Sequence, residues 1–153
     1  MSLTHLHLLL NHVPVIGLLG VIVLLAIALK LRNDVLTKTS FALLGVLGLL
    51  GIATFLTGEP AEEAIEHLPG FSHALTEEHE EIALLATIAL SVCGAIAAGA
   101  LLWMRRQAMP RRVSGFVFAL SLIAGGMMAY TGWLGGQVGH SEIRDTAMVA
   151  GDR

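Results

Sequence analysis

Four long stretches of this 153-residue chain contain no Lys, Arg, Asp or Glu, and that restricts the fold more than any other feature. They run from about Val13 to Leu29, Phe41 to Leu56, Ile82 to Met104 and Val113 to Leu134. The last two are long enough to cross a hydrocarbon layer of roughly 30 Å as helices. The first two reach that length when Leu6 to His12 and Thr37 to Ser40 continue them. A soluble bundle of buried helices needs a charged outer face. These runs supply none, in a chain that is 55% hydrophobic and only 14% charged. The expected fold is all-α: an integral-membrane four-helix bundle with up-down-up-down order. It forms a single domain over residues 1–153, with a short extra helix in the central loop.

Charge is distributed unevenly between the two ends. The short loops after the first and third runs hold Lys30, Arg32, Lys38, Arg105, Arg106, Arg111 and Arg112, and the opposite ends hold only Arg144 and Arg153. The positive-inside rule puts both short loops in the cytoplasm. The N-terminus, the long central loop and the C-terminus then lie outside, as in a multi-pass protein of the bacterial inner membrane with both termini periplasmic. Of the twelve carboxylates, all but Asp34 fall on that outer side. Trp133 and Tyr130 are expected near the outer interface and Trp103 near the inner one.

The first run follows no cationic segment and precedes no small-residue cleavage site, so it reads as a retained helix. Cys93 lies mid-run and reads as a small core residue. There is no C-x-x-C-H sequence, which excludes covalent haem attachment. In the central loop, Gly58 suits a cap of the second helix. Pro60 suits the first position of a short helix over about Pro60 to Leu68, with Glu62 and Glu63 in its first turn. That helix ends at Pro69-Gly70, and Ser72 or Thr76 caps the third spanning helix.

Two stripes of small residues stand out. Gly125, Ala129, Gly132, Gly136 and His140 follow one helical face, as do His79, Ala83, Ala86, Leu90, Gly94 and Ala97. Small residues admit close approach of a helix or a flat cofactor. Packing alone explains the glycines but not a histidine at the outer end of each stripe, so His79 and His140 are expected to face the bundle interior.

All seven histidines share the outer side. Histidine readily ligates metal ions and haem iron. His5, His7 and His12 crowd the opening, where Pro14 suggests a break near Asn11 to Pro14. On a continuous helix His5 and His12 share a face and His7 and His12 do not; a break would let His7 and His12 converge. His5, His67 and His73 read as surface residues.

The opening His7-x-x-x-x-His12-Val-Pro14 resembles the H-P-x-x-V-H-F-P start of an uncharacterised family of four-helix bacterial membrane proteins. The segment Gly135-Gly136-Gln137-Val138-Gly139-His140 resembles that family's glycine-rich last helix, which runs into a histidine. Leu8 stands in place of the first proline and Val13 in place of phenylalanine. The acidic segments Glu59 to Glu63 and Glu77 to Glu81 resemble a distinct subgroup. Members are often fused to or associated with c-type cytochromes. The resemblance therefore implies redox work at the outer face, with a c-type cytochrome or another membrane-complex subunit as partner. It assigns no reaction.

Three functions compete, and the favoured one is a membrane redox protein carrying histidine-ligated b-type haem at the periplasmic end of the bundle. A b-type haem for electron transfer needs axial ligands on facing helices and small residues to admit the ring. His12 with His79 is the preferred pair, with His7 and His140 for a second haem. Against it, haem propionates prefer cations, and Arg144 is nearly alone there. A non-haem centre would join His7, His12, His79 and His140 to Glu59, Glu63 or Glu78 around an Fe, Zn or Cu ion. Neither HExxH nor the E-x-x-H of di-iron bundles occurs. The third reading is a cofactor-free accessory subunit of a larger membrane complex. Electron transfer or an accessory role is expected ahead of a stand-alone enzyme, with lipid as a partner and no nucleic acid. No charge interrupts mid-membrane depth, which argues against a transporter.

Overall fold

A computed structural model describes residues 3–64, 66–67 and 70–139. These form six helices: α1 (Leu3–Leu10), α2 (His12–Leu31), α3 (Asp34–Leu56), α4 (Gly58–Glu63), α5 (His73–Trp103) and α6 (Arg111–Gly139). Four helical spans are long and apolar enough to cross a membrane: Thr4–Leu31, Asp34–Leu56, His73–Trp103 and Arg111–Val138. In space α2 packs on α3, α3 on α5, α5 on α6, and α6 returns to α2, which closes a four-helix ring with up-down-up-down order.

Local chemistry sets the helix ends. The Asn33 side chain accepts the Leu36 N–H at 3.0 Å, and Asp34 sits in the first turn of α3 near its positive dipole end. Ser72 caps α5 by accepting the Leu75 N–H. α2 ends at Arg32, whose φ of 54° reverses the chain into a two-residue link to α3.

The core is apolar and continuous. Leu18, Leu25, Phe41, Leu44, Leu90 and Val117 are fully buried, and Cys93 sits among them as a small core residue. The outer surface of the helices is equally apolar: Leu49 is 70% exposed, Ile16 63% and Ile123 61%. A folded chain that leaves such a belt uncovered is suited to lipid. Small residues bring α3 and α5 together. A Cβ on Gly94 would lie 2.6 Å from the Leu44 carbonyl oxygen, and one on Gly48 would lie 3.3 Å from the Ser91 Cα. α5, with 31 residues, is about 46 Å long at 1.5 Å per residue, more than a membrane core needs. Its surplus is the first two and a half turns, which carry Glu77, Glu78, His79, Glu80 and Glu81 clear of the apolar run.

Three expectations change. The break in the first span is confined to Asn11, whose φ of −57° and ψ of −31° are helical and whose N–H still bonds the His7 carbonyl at 2.8 Å. Pro14 has no N–H to offer the Leu10 carbonyl, and Thr54 Oγ1 reaches that carbonyl instead at 3.4 Å. The short helix spans Gly58–Glu63 rather than Pro60 to Leu68, so Gly58 opens α4 and Thr57 stands at the α3–α4 junction. Leu68 and Pro69 lie outside the described residues. On α6 the glycine stripe faces inward only in part: Gly125 is buried and Gly136 half-buried, but Ala129 and Gly132 are exposed, while Val117, Ser121, Ala124, Met128, Leu134 and Gln137 are buried. Larger side chains fill the interior, and Gly125 and Gly132 lie along the seam with α2, nearest Ile22 and Val15. On α5 the expected stripe does face inward, with Ala86, Leu90, Gly94 and Ala97 buried.

Candidate functional site

The interior turns polar at the end of the bundle that carries α1, α4 and the start of α5. Thr54, Thr57, Ser72, Thr76 and Gln137 are buried there, above an otherwise apolar core. Two histidines enter this region. His7 projects from α1 toward the end of α3, with its Nδ1 3.1 Å from the Thr54 carbonyl and 3.2 Å from Thr57 Oγ1. A carbonyl only accepts, so Nδ1 donates, and the lone pair of the neutral ring falls on Nε2. Thr57 Oγ1 itself donates to the same carbonyl at 2.7 Å, which fixes the acceptor group. Thr4 Oγ1 reaches the Pro60 carbonyl at 3.4 Å, so α1 is tied to both α3 and α4.

His79 enters from α5 and lies on α6. A Cβ built on Gly135 would be 3.0 Å from its Cε1, so the ring occupies space that any larger residue there would claim. It is hydrogen-bonded to the backbone of Thr131, while its Nδ1 is buried without a hydrogen-bond partner. The Thr131 bond therefore runs through Nε2, and Nδ1 is the unused nitrogen. His7 is near enough for its charge to bear on His79. Asn11, one turn after His7, adds a second buried orphan at this end, its Oδ1. Each imidazole thus has one nitrogen held by backbone and one uncommitted, the arrangement that orients a metal-ligating histidine.

A carboxylate pair lies at the same end. Glu62 of α4 shares a hydrogen bond with Glu80 of α5, which requires a proton between them. That bond pushes the Glu62 carboxyl up to about 7; burial and the charges of Glu80, Glu66 and Glu59 act in the same direction.

The other candidate ligands are placed differently. His12 is exposed on the outside of the first span, so the expected His12–His79 pair does not meet across the interior. The helix continues through Asn11, and five residues of helix turn a side chain roughly 140° from its starting face. His12 therefore shares the outward face of His5, and His7 takes the inward one. Glu59 and Glu63 are exposed. Glu78 accepts the Tyr130 hydroxyl at 2.9 Å, and Tyr130 stacks on Trp133 at 5.6 Å. His140 lies outside the described residues. Among the described residues, no three of His, Cys, Asp and Glu gather into a ready-made metal cage.

Thr54 and Thr57 were not singled out by sequence; Asn11 stood out only as the place of a break, and Gly135 only as part of the glycine-rich last segment. The threonines stand at the end of an uncharged run and carried no pattern of their own. Gly135 belongs to a Gly-Gly pair of which only the second member, Gly136, falls on the α6 stripe. No curated protein and no solved structure matches the chain. Residues 4–143, nearly its whole length, match the family described as predicted membrane protein (DUF2231), and the chain belongs to that family.

Proposed function

We propose that this membrane bundle is a redox protein that holds a metal centre at its outer end, with His7 and His79 as ligands. One observation carries the reading. Two half-buried imidazoles from different helices lie at the same polar end of the bundle, each with one nitrogen fixed by a backbone carbonyl and the other uncommitted. The packing favours a bare iron or copper ion over b-type haem. Haem would have to open the contact between the His79 ring and Gly135, and its usual imidazole ligand atom is Nε2, which on His79 is engaged. Nε2 of His7 and Nδ1 of His79 would supply two ligands to such an ion without opening that contact. The proposed orientation, with the basic loops cytoplasmic, puts this centre on the periplasmic side, where it would exchange electrons with a partner such as a c-type cytochrome.

Purified protein tests the reading by elemental analysis together with visible spectra before and after dithionite. Stoichiometric iron or copper is expected, lost in His7→Ala and in His79→Ala and kept in His12→Ala. A Soret band that obeys the same pattern would make the centre haem. A metal-free, colourless protein after growth with ample iron, copper and haem overturns the proposal. In that case a cofactor-free accessory subunit is the better reading. Its support is that both rings already hydrogen-bond across helices, which ties the outer end together without any ligand.

A further inference from the structure

The opposite, basic end of the bundle has a pocket of its own. A half-open cleft of about 110 Å³ lies between the α2–α3 link and the start of α6, lined among others by Arg32, Asn33, Thr37, Met109, Arg111 and Ser114. One water takes about 30 Å³ of liquid volume, so the pocket has room for a phosphate-sized group. Arg32 and Arg111 are exposed, and neither guanidinium has a hydrogen-bond or ion-pair partner among the described residues. The pocket also contains one carboxylate, Asp34, and it is fully engaged. Its Oδ1 accepts the Met109 N–H at 2.7 Å, and its Oδ2 pairs with Lys38 Nζ at 2.8 Å. Lys38 Nζ also donates to the Gln107 carbonyl at 2.7 Å, so the α5–α6 loop is locked against α3. The wall is rigid and its acid is neutralised, which leaves two uncompensated arginines. Arg111 also opens α6, so the unsatisfied N–H groups of that first turn lie beside the pocket.

Position selects the ligand. The uncharged run of α6 begins at Val113, two residues after Arg111, and that of α2 ends at Leu29, three before Arg32. Both arginines therefore stand at the level of lipid headgroups. Apolar lining from Ala28, Leu29 and Met109 suits the glycerol and first acyl carbons below a phosphate. Arginine binds phosphate through two parallel N–H donors. We propose that this pocket binds the phosphate of an anionic phospholipid between Arg32 and Arg111. The site is separate from the outer-end histidines and does not depend on the function proposed for them.

Native mass spectrometry of the full chain in detergent tests this with three probes: dioctanoyl phosphatidylglycerol, dioctanoyl phosphatidylcholine and inorganic phosphate. The phosphatidylglycerol should bind at least tenfold more tightly than the phosphatidylcholine, and phosphate alone should not compete at equal concentration. The pair Arg32→Asn with Arg111→Gln should weaken phosphatidylglycerol about 30-fold, as expected for two cations at an anionic surface. Asn suits the positive φ at position 32. Arg105→Gln with Arg106→Gln, in the same loop but off the pocket, should weaken it no more than about threefold. Equal binding of both lipids by the unmodified protein overturns the proposal, and needs no variant to fold. So does phosphate binding that matches or displaces the lipid, or an equal loss in the two double variants, since either would mean a diffuse basic surface.

Discussion

At the residue scale, two glycines of α5 make opposite predictions from the same substitution. A methyl on Gly94 would meet the Leu44 backbone at 2.6 Å, and backbone cannot step aside, so α3 and α5 must separate. Gly94→Ala should destabilise the bundle by about 1–3 kcal/mol. A methyl on Gly99 meets nothing within 4 Å. Gly99→Ala should be neutral, or stabilising by up to about 1 kcal/mol through helix propensity. Unfolding titrations from dodecylmaltoside into SDS would check both. Gly135 links packing to the proposed centre. Gly135→Val puts a side chain where the His79 ring lies, so bound metal should fall at least tenfold, while Gly126→Val, at an open position, should keep it. Metal content of the two purified variants decides. His79 was legible because Ala86, Leu90, Gly94 and Ala97 set the phase of α5 and the histidine falls on the same face. The first span gave no such phase. Its residues are apolar on every side, toward core and lipid alike, so nothing in the pattern told His7 from His12.

At the scale of elements, α4 is the least anchored helix, six residues long with none of them buried. Its link to α5 is the proton shared by Glu62 and Glu80. Glu62 is raised from an ordinary 4.5 to about 7, so the folded group holds its proton more tightly than the unfolded chain does. Its contribution is therefore complete below about pH 4.5, persists in part between the two values, and is lost as pH rises through about 7. Above that, Glu62 and Glu80 both carry charge, and Glu59 and Glu66 add to the repulsion. Backbone amides of residues 58–64 should exchange with deuterium more slowly at pH 6 than at pH 8, after correction for intrinsic rates. Glu62→Gln should remove most of that difference; an unchanged ratio would show that the carboxylate pair does not hold α4. The existence of this helix was legible from Pro60 and the acidic turn after it. Its start was not, because Thr57 and Gly58 let the chain pass from α3 into α4 with almost no intervening loop. The same limit applied to α6. Glycine marks where helices approach closely, but two seams compete for it there, and the sequence does not say which one faces the interior.

At the scale of the whole molecule, the two ends are chemically unlike, and this polarity predicts how the bundle sits in its membrane. Seven cations, from Lys30 to Arg112, lie at the end formed by the α2–α3 and α5–α6 connections. The other end, among the described residues, has histidines and glutamates and no Lys or Arg. Translocating the basic loops would oppose both the membrane potential and the anionic inner leaflet, so these loops should remain cytoplasmic. The number and order of spanning helices followed from uncharged runs, because a backbone in lipid has to satisfy its hydrogen bonds within the helix. Orientation follows from the loops alone and can be measured independently of any cofactor. Cys93 is the one native thiol and is buried, so a Cys93→Ala background is silent to labelling. In that background Glu63→Cys and Gln107→Cys put single exposed thiols at opposite ends. A membrane-impermeant maleimide should label position 63 in intact spheroplasts and position 107 only after lysis. The reverse pattern would turn the bundle over, moving the imidazole pair to the cytoplasmic face and the arginine pocket to the outer leaflet. Labelling at both positions in intact cells would show a mixed insertion, and the charge difference between the ends would then be too weak to fix the topology.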